Sequence, residues 1–199
     1  MDILLKKQVN ESQTICTMKK HSGIIMFVPI LALTLFSLTG CGRYSLSRKM
    51  ERFMAKPIVL PDGLIRIHGS QIDTGVTLSP PYYIVYVDSM DCSTCRIDRL
   101  HEYDWVQETA EKQGGYTFVL MIHPAEGERQ NVRRALSNPY RNFGFPVYLD
   151  NEGRFRNLNG QMALDRRFNA FLTDEKGFPV LVGDVTRSDK LKEMFLNLQ

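Results

Sequence analysis

The sequence lacks a strong excess of either charge and any marked bias in composition. Its 199 residues carry 25 Lys and Arg against 22 Asp and Glu, so that the formal net charge is only +3. This balance does not suggest the broad basic surface that binds nucleic acid, and we expect no nucleic-acid partner. With 14 glycines, 9 prolines and 43% hydrophobic residues, the chain is not collagen-like, low in complexity or a multi-pass membrane protein. Four cysteines in a chain of this length also exclude a small disulfide-stapled scaffold.

An apolar run long enough to span a membrane is also missing. The run from Ile24 to Leu38 is shorter than the about 20 residues that a spanning helix needs. It follows two lysines and precedes a few small residues, which is the order of a secretory signal peptide. We therefore predict a signal peptide over residues 1–40. Because Met18 already begins a complete basic region, translation is expected to start there.

The end of this segment, Leu38-Thr39-Gly40-Cys41, resembles the lipobox of bacterial lipoproteins. The resemblance implies that Cys41 is lipidated and becomes the first residue of the mature protein. One acyl chain anchors weakly, at about 0.8 kcal/mol per buried methylene, so stable anchoring takes the several chains that lipoprotein processing supplies. We expect residues 41–56 to be a tether and membrane lipid to be a partner, with the protein in the bacterial cell envelope, facing the periplasm. The alternative is a buried cysteine in an uncleaved anchor helix.

Strand and helix signals alternate along residues 57–199, which we interpret as one domain. The strand signals are a hairpin around Pro61-Asp62-Gly63, two buried strands, a shorter apolar run and a closing hairpin: Ile58–Leu60 with Leu64–His68, Tyr82–Asp88, Tyr116–Ile122, Phe145–Leu149, and Ala170–Thr173 with Pro179–Val182. The helix signals cover Cys95–Gln113, Glu126–Leu136 and Ser188–Leu198, where Ser188 is a candidate N-cap. Strands joined by helices predict an α/β fold, with a central mixed sheet of mainly parallel strands, a C-terminal antiparallel hairpin and flanking helices.

The chemistry lies in Cys92-Ser93-Thr94-Cys95, directly after a buried strand and at a helix start. Unpaired N–H groups and the helix dipole stabilise a thiolate at this position. A thiolate at Cys92 attacks a disulfide, and Cys95 then displaces the substrate and closes the local disulfide. Arg96 and Arg99 add favourable charge, whereas Asp91 opposes it. Thiol-disulfide exchange is therefore the leading hypothesis, and it requires no cofactor.

Two other interpretations of the cysteine pair stay open. The pair can be a static structural disulfide or a vestigial site. It can bind metal: zinc is poorly supported because no second CxxC supplies four ligands, but copper could be held by Cys92, Cys95 and His123, or with His101. Exposed or hydrogen-bonded histidines are the simpler expectation. Asp88, at the end of the strand, is a candidate proton acceptor for the Cys95 thiol, with a solvated carboxylate as the alternative.

Over residues 57–199 the order of motifs resembles the thioredoxin-like fold, specifically the TlpA-like thiol-disulfide oxidoreductases of the bacterial envelope. The matching motifs are YYIVYVDSMDCSTC, Phe145-Pro146-Val147 with Asp150, and Phe171-Leu172 with Asp174 and Gly177. The resemblance implies that Cys92 is the nucleophile and Cys95 the resolving thiol. It also implies that the partners are disulfides or thiols of exported proteins and an upstream electron donor.

The chain departs from the family pattern at two places. Asp91 stands where the family carries a tryptophan, and residues 166–169 lack the cis-proline that precedes the corresponding strand. Pro146 takes that role only if the alignment shifts, which leaves residues 169–184 as an extra hairpin. The second hypothesis is a copper metallochaperone of thioredoxin-like fold, and the spacing speaks against it, because those relatives typically separate their cysteines by three residues. The third hypothesis is a non-catalytic binding module of the same fold, which the two departures favour.

Overall fold

One mixed sheet organises the computed structural model, which describes residues 45–141 and 143–198. Its seven described strands lie in the order β2-β1-β5-β4-β3-β6-β7. Their bounds are β1 (Ile65–His68), β2 (Gln71–Thr74), β3 (Tyr82–Val87), β4 (Thr117–Ile122), β5 (Val147–Leu149), β6 (Ala170–Thr173) and β7 (Pro179–Val182). Only the pairs β3 with β4 and β4 with β5 are parallel. The α/β class, the flanking helices and the antiparallel β6–β7 hairpin agree with expectation, whereas a mainly parallel sheet is not confirmed.

The two central strands are buried along almost their whole length. All six residues of β3 are buried, and they pair in parallel with β4 from Tyr82 opposite Thr117 to Val87 opposite Ile122. Both faces of such a strand are buried, so apolar residues occupy successive positions and do not alternate with polar ones. The sequences of β3 and β4 are therefore continuous apolar runs. Both strands lie within one residue of their predicted bounds. Cys92 follows the carboxyl end of β3.

Six helices surround the sheet in the described part of the chain: α1 (residues 45–54), α2 (Ser93–Ile97), α3 (Asp104–Gln113), α4 (Arg129–Leu136), α5 (Arg154–Leu158) and α6 (Asp189–Leu196). The continuous helix predicted from Cys95 to Gln113 is wrong. Instead α2 ends early, a 3₁₀ turn covers Leu100–Tyr103, and α3 follows. The buried residues Ile97, Leu100, Tyr103 and Val106 are spaced by three, which matches the three-residue period of a 3₁₀ turn.

The predicted hairpin around Pro61-Asp62-Gly63 is also wrong. The hairpin is β1 with β2, and it turns at Gly69, whose φ is +59°. The backbone before Pro61 finds other partners, since Ile58 N–H donates to the Gly177 carbonyl at 2.9 Å. Val59 donates to Oδ1 of the buried Asn159 at 2.9 Å, and Asn159 Nδ2 donates to the Val59 carbonyl at 2.7 Å. A side-chain amide thus replaces the neighbouring strand that the turn motif predicted.

Aromatic side chains fill both sides of the sheet. On one side Tyr83 packs against Phe118 and Phe195, with ring centroids 6.0 and 5.0 Å apart. On the other side Phe53, which is fully buried, packs 4.6 Å from Phe168 and 5.2 Å from Phe171. Phe53 lies within the segment expected to be a tether, and it belongs to the compact unit Lys49–Gln199. The predicted signal peptide and Cys41 lie outside the described residues.

Candidate functional site

Cys92 and Cys95 form a disulfide at the carboxyl end of β3, with Cα atoms 5.3 Å apart. Cys92 is the N-cap of α2: its backbone is extended, and its Sγ accepts a hydrogen bond from the Cys95 N–H at 3.3 Å. Both cysteines are exposed, in a shallow depression lined also by Asp91 and Arg96. The cysteine pair singled out in the sequence therefore lies at the surface, where the sulfur of a partner can reach it.

The turn between β3 and the disulfide is organised by Asp88, which is only 8% exposed. Its carboxylate forms an ion pair with Arg156 of α5. The same carboxylate accepts hydrogen bonds from the Ser89 hydroxyl and the Met90 N–H, both at 3.2 Å. The Asp91 N–H donates to the Asp88 carbonyl at 2.9 Å. These contacts give Asp88 a positioning role, and its role as proton acceptor for Cys95 stays a prediction.

Sequence reasoning missed Arg156 because it missed α5. That helix begins where Asp150 accepts hydrogen bonds from the Arg154 and Phe155 N–H groups, at 2.9 and 2.8 Å. The available signal in the sequence was Asp150 itself, which precedes Arg154 by four residues and Phe155 by five. Near this helix Tyr86 is buried, and its hydroxyl has no hydrogen-bond partner in the described structure. Burial and the Asp150 carboxylate raise the pKa of Tyr86, while Arg156 acts in the opposite direction.

A second loop lies beside the disulfide. Residues Arg166–Asn169 form a 3₁₀ turn before β6, and β6 runs antiparallel to β3, which brings this turn next to the carboxyl end of β3. Arg166 Nη2 lies 3.6 Å from the Met90 Sδ. Asp165 begins the turn and accepts hydrogen bonds from the Arg167 guanidinium, both at 2.8 Å, which lower the pKa of the Asp165 carboxyl. Among the described residues the cis peptide bond joins Pro80 and Pro81, before β3 and at the other end of the sheet.

The structure describes both histidines that the sequence places near the cysteine pair, His101 and His123. His101 is exposed, and His123 is half-buried. A Cβ built on Gly153 would lie 2.7 Å from His123 Cε1, so the imidazole packs directly on the glycine. Within residues 45–141 and 143–198, no group of three or more His, Cys, Asp or Glu side chains could hold a metal ion. The copper site with Cys92, Cys95 and His123 therefore has no support from this geometry.

Comparison with family models, with curated proteins and with solved structures gives no match for this chain. No helix among the described residues is both long and apolar enough to cross a membrane. The lipid anchor and the envelope location consequently stay predictions from the sequence.

Proposed function

We propose that the protein exchanges thiols and disulfides through Cys92 and Cys95, acting as a reductant of disulfides in exported proteins. The observation that carries the proposal is an exposed disulfide between the two cysteines at the start of a helix, directly after a buried strand. A structural disulfide is usually buried within the fold it stabilises, whereas thiol exchange needs the attacked sulfur to be accessible.

The arrangement around the site supports a thioredoxin-like fold as part of this proposal. The β6–β7 hairpin lies antiparallel beside β3, the disulfide follows β3, and α6 closes the described chain. Two of the motif residues, Asp174 and Gly177, also have local structural roles. Asp174 accepts hydrogen bonds from the Lys176 and Phe178 N–H groups, and Gly177 has a φ of +83°, so together they form the turn between β6 and β7.

The proposed reaction starts from the reduced pair. The Cys92 thiolate attacks one sulfur of the partner disulfide, a new bond forms between the two sulfurs, and the other partner sulfur leaves as a thiolate that takes up a proton. Cys95 loses its proton to solvent and attacks the Cys92 sulfur, which restores the Cys92–Cys95 disulfide and releases the second partner thiolate. Two electrons have then passed to the partner. A dithiol donor returns two electrons to the pair for the next cycle.

Nearby groups have defined tasks in this scheme. The Cys95 N–H donates to the Cys92 sulfur at 3.3 Å and so stabilises negative charge on that atom. The Arg96 guanidinium, in the same depression, acts in the same direction, and the Asp91 carboxylate acts against it. Asp88 holds the turn that places Cys92 at the surface.

The test uses the full chain, reduced with a strong dithiol, and a disulfide-containing protein substrate. We expect reduction of the substrate, loss of this activity in Cys92→Ser, and accumulation of a mixed disulfide in Cys95→Ser, since the second attack is then blocked. Thr94→Ser, which keeps a hydroxyl between the cysteines, is the matched control and should retain activity. A pair that stays oxidised under the dithiol, or a Cys92→Ser variant with unchanged activity, would contradict the proposal.

A further inference from the structure

Two arginines beside the disulfide are free of ion pairs with any described carboxylate. Arg96 lines the depression that exposes Cys92 and Cys95. Arg166 comes from the loop before β6, and its guanidinium lies 3.6 Å from the sulfur of Met90, two residues ahead of Cys92. We name Arg96 and Arg166 the basic rim. Other arginines of this region are neutralised: Arg99 by Glu102, Arg141 by Asp98, Arg156 by Asp88 and Arg167 by Asp165.

The surroundings of the basic rim extend its positive charge. Helix α2 packs against α4, which carries three exposed arginines without an ion pair in the described structure. Residues 89–97, residues 126–136 and Arg166 together carry five arginines and three carboxylates, none of them in an ion pair with another described residue: Arg96, Arg129, Arg133, Arg134 and Arg166 against Asp91, Glu126 and Glu128. An excess of one sign around a reactive group attracts partners of the opposite sign and disfavours those of the same sign.

We propose that the basic rim selects protein disulfides whose cysteines are flanked by acidic residues. The inference rests on the proposed function and names its substrate class. When a partner sulfur bonds to the Cys92 sulfur, the residues beside the partner cysteine come close to Arg96, which lines the same depression. A carboxylate there pairs with the forked donors of a guanidinium, which bind carboxylates well, whereas a lysine meets two like charges. The Asp91 carboxylate repels acidic residues of the partner, but its one negative charge stands against the two positive charges of Arg96 and Arg166.

The experiment compares three synthetic disulfides that differ only in the residues flanking their cysteines, which are Glu, Gln or Lys. The reduced full chain is mixed with each one, and the released thiol peptide is followed by chromatography. At low salt the Glu peptide should react about tenfold faster than the Lys peptide, an effect of the size expected for two exposed charge contacts. The ratio should fall toward one at about 0.5 M NaCl, because salt screens exposed charges.

Variants test whether the preference for the Glu peptide comes from the basic rim. Arg96→Gln combined with Arg166→Gln should reduce the ratio of the Glu to the Lys rate to below about twofold, and the single exposed change Arg166→Gln should reduce it in part. Lys176→Gln is the matched control, because it removes a positive charge from the turn at the opposite end of β6 and should keep the ratio. Equal rates for the three peptides would overturn the rim proposal alone. No reaction with the Gln peptide would overturn the proposed function itself.

Discussion

The two loops beside the disulfide each contain an aspartate that bonds to the backbone of its own loop, but the two aspartates form ion pairs with different partners. In each, an aspartate accepts a hydrogen bond from the N–H group two residues later, Asp88 from Met90 and Asp165 from Arg167, both at 3.2 Å. Each carboxylate also pairs with an arginine. Asp88 is buried, and its arginine is Arg156 on α5, distant in sequence. Asp165 pairs with Arg167, within its own turn, at 2.8 Å and with Lys49 of α1 at 3.6 Å.

This difference separates the two aspartates by the exposure of their cations. A buried carboxylate is stable only while its distant partner stays in place, so the Asp88 turn is tied to the packing of α5. The side chains of Arg167 and Lys49 are 63% and 41% exposed, so water can replace much of what they provide to Asp165, and the turn is held instead by the fully buried Phe168. The Asp88 turn carries Cys92, whose position the chemistry requires. The Asp165 turn carries Arg166, whose exposed side chain contacts the surface of a partner in our proposal.

The largest effect is expected from Arg156→Met, which leaves the Asp88 carboxylate buried without its counter-charge. Removing one partner of a fully buried pair costs about 3–5 kcal/mol, and because the Arg156 side chain is 31% exposed we expect a loss of roughly 2–3 kcal/mol. Disulfide exchange should also slow, since the turn before Cys92 loses its anchor. Urea unfolding at pH 7 measures the first effect, and the rate with the Gln-flanked peptide measures the second.

Arg154→Met is the matched control on the same helix. The Arg154 side chain is 49% exposed and pairs with Glu152, which is 67% exposed, so its loss should cost less than about 1 kcal/mol. The double change Asp88→Asn with Arg156→Met should recover part of the stability, because it removes both charges. If Arg156→Met and Arg154→Met have the same stability, Arg156 does not anchor the Asp88 turn.

Local signals in the sequence predict the elements that depend on neighbouring residues, and they fail for contacts between residues that are distant in sequence. The continuous apolar runs of β3 and β4, the turn between β6 and β7, and the Ser188 N-cap of α6 were all interpreted correctly, because each depends on residues close in sequence. The disulfide between Cys92 and Cys95 also joins near neighbours. Short segments carry their own periodicity and capping residues, and these largely decide their structure.

The parts that sequence reasoning missed depend on distant partners. The segment before Pro61 has a turn motif but pairs with Asn159, 100 residues away from Val59. Arg166 meets Met90 across 76 residues. Arg156 meets Asp88 because β5 and α5 fold back toward the end of β3. A long-range contact leaves no periodic signal in a single sequence, so the anchoring of the reactive loop and the basic rim appear only in the structure.

The smallest expected effect is the pH dependence of the stability that the Asp165 carboxylate provides. Hydrogen bonds from Arg167 lower the pKa of the Asp165 carboxyl, so the folded state favours the charged form more than the unfolded state does. The resulting stability is fully present above the ordinary carboxyl pKa of about 4 and is lost as pH falls through the lower folded value. Asp165→Asn should therefore be slightly less stable than the parent protein at pH 7, by much less than Arg156→Met. The difference should shrink steadily below pH 4 in urea unfolding. A large loss at pH 7 would show that Asp165 anchors its turn as firmly as Asp88 does. A difference that is unchanged at pH 3 would show that the stability does not come from the charged carboxylate.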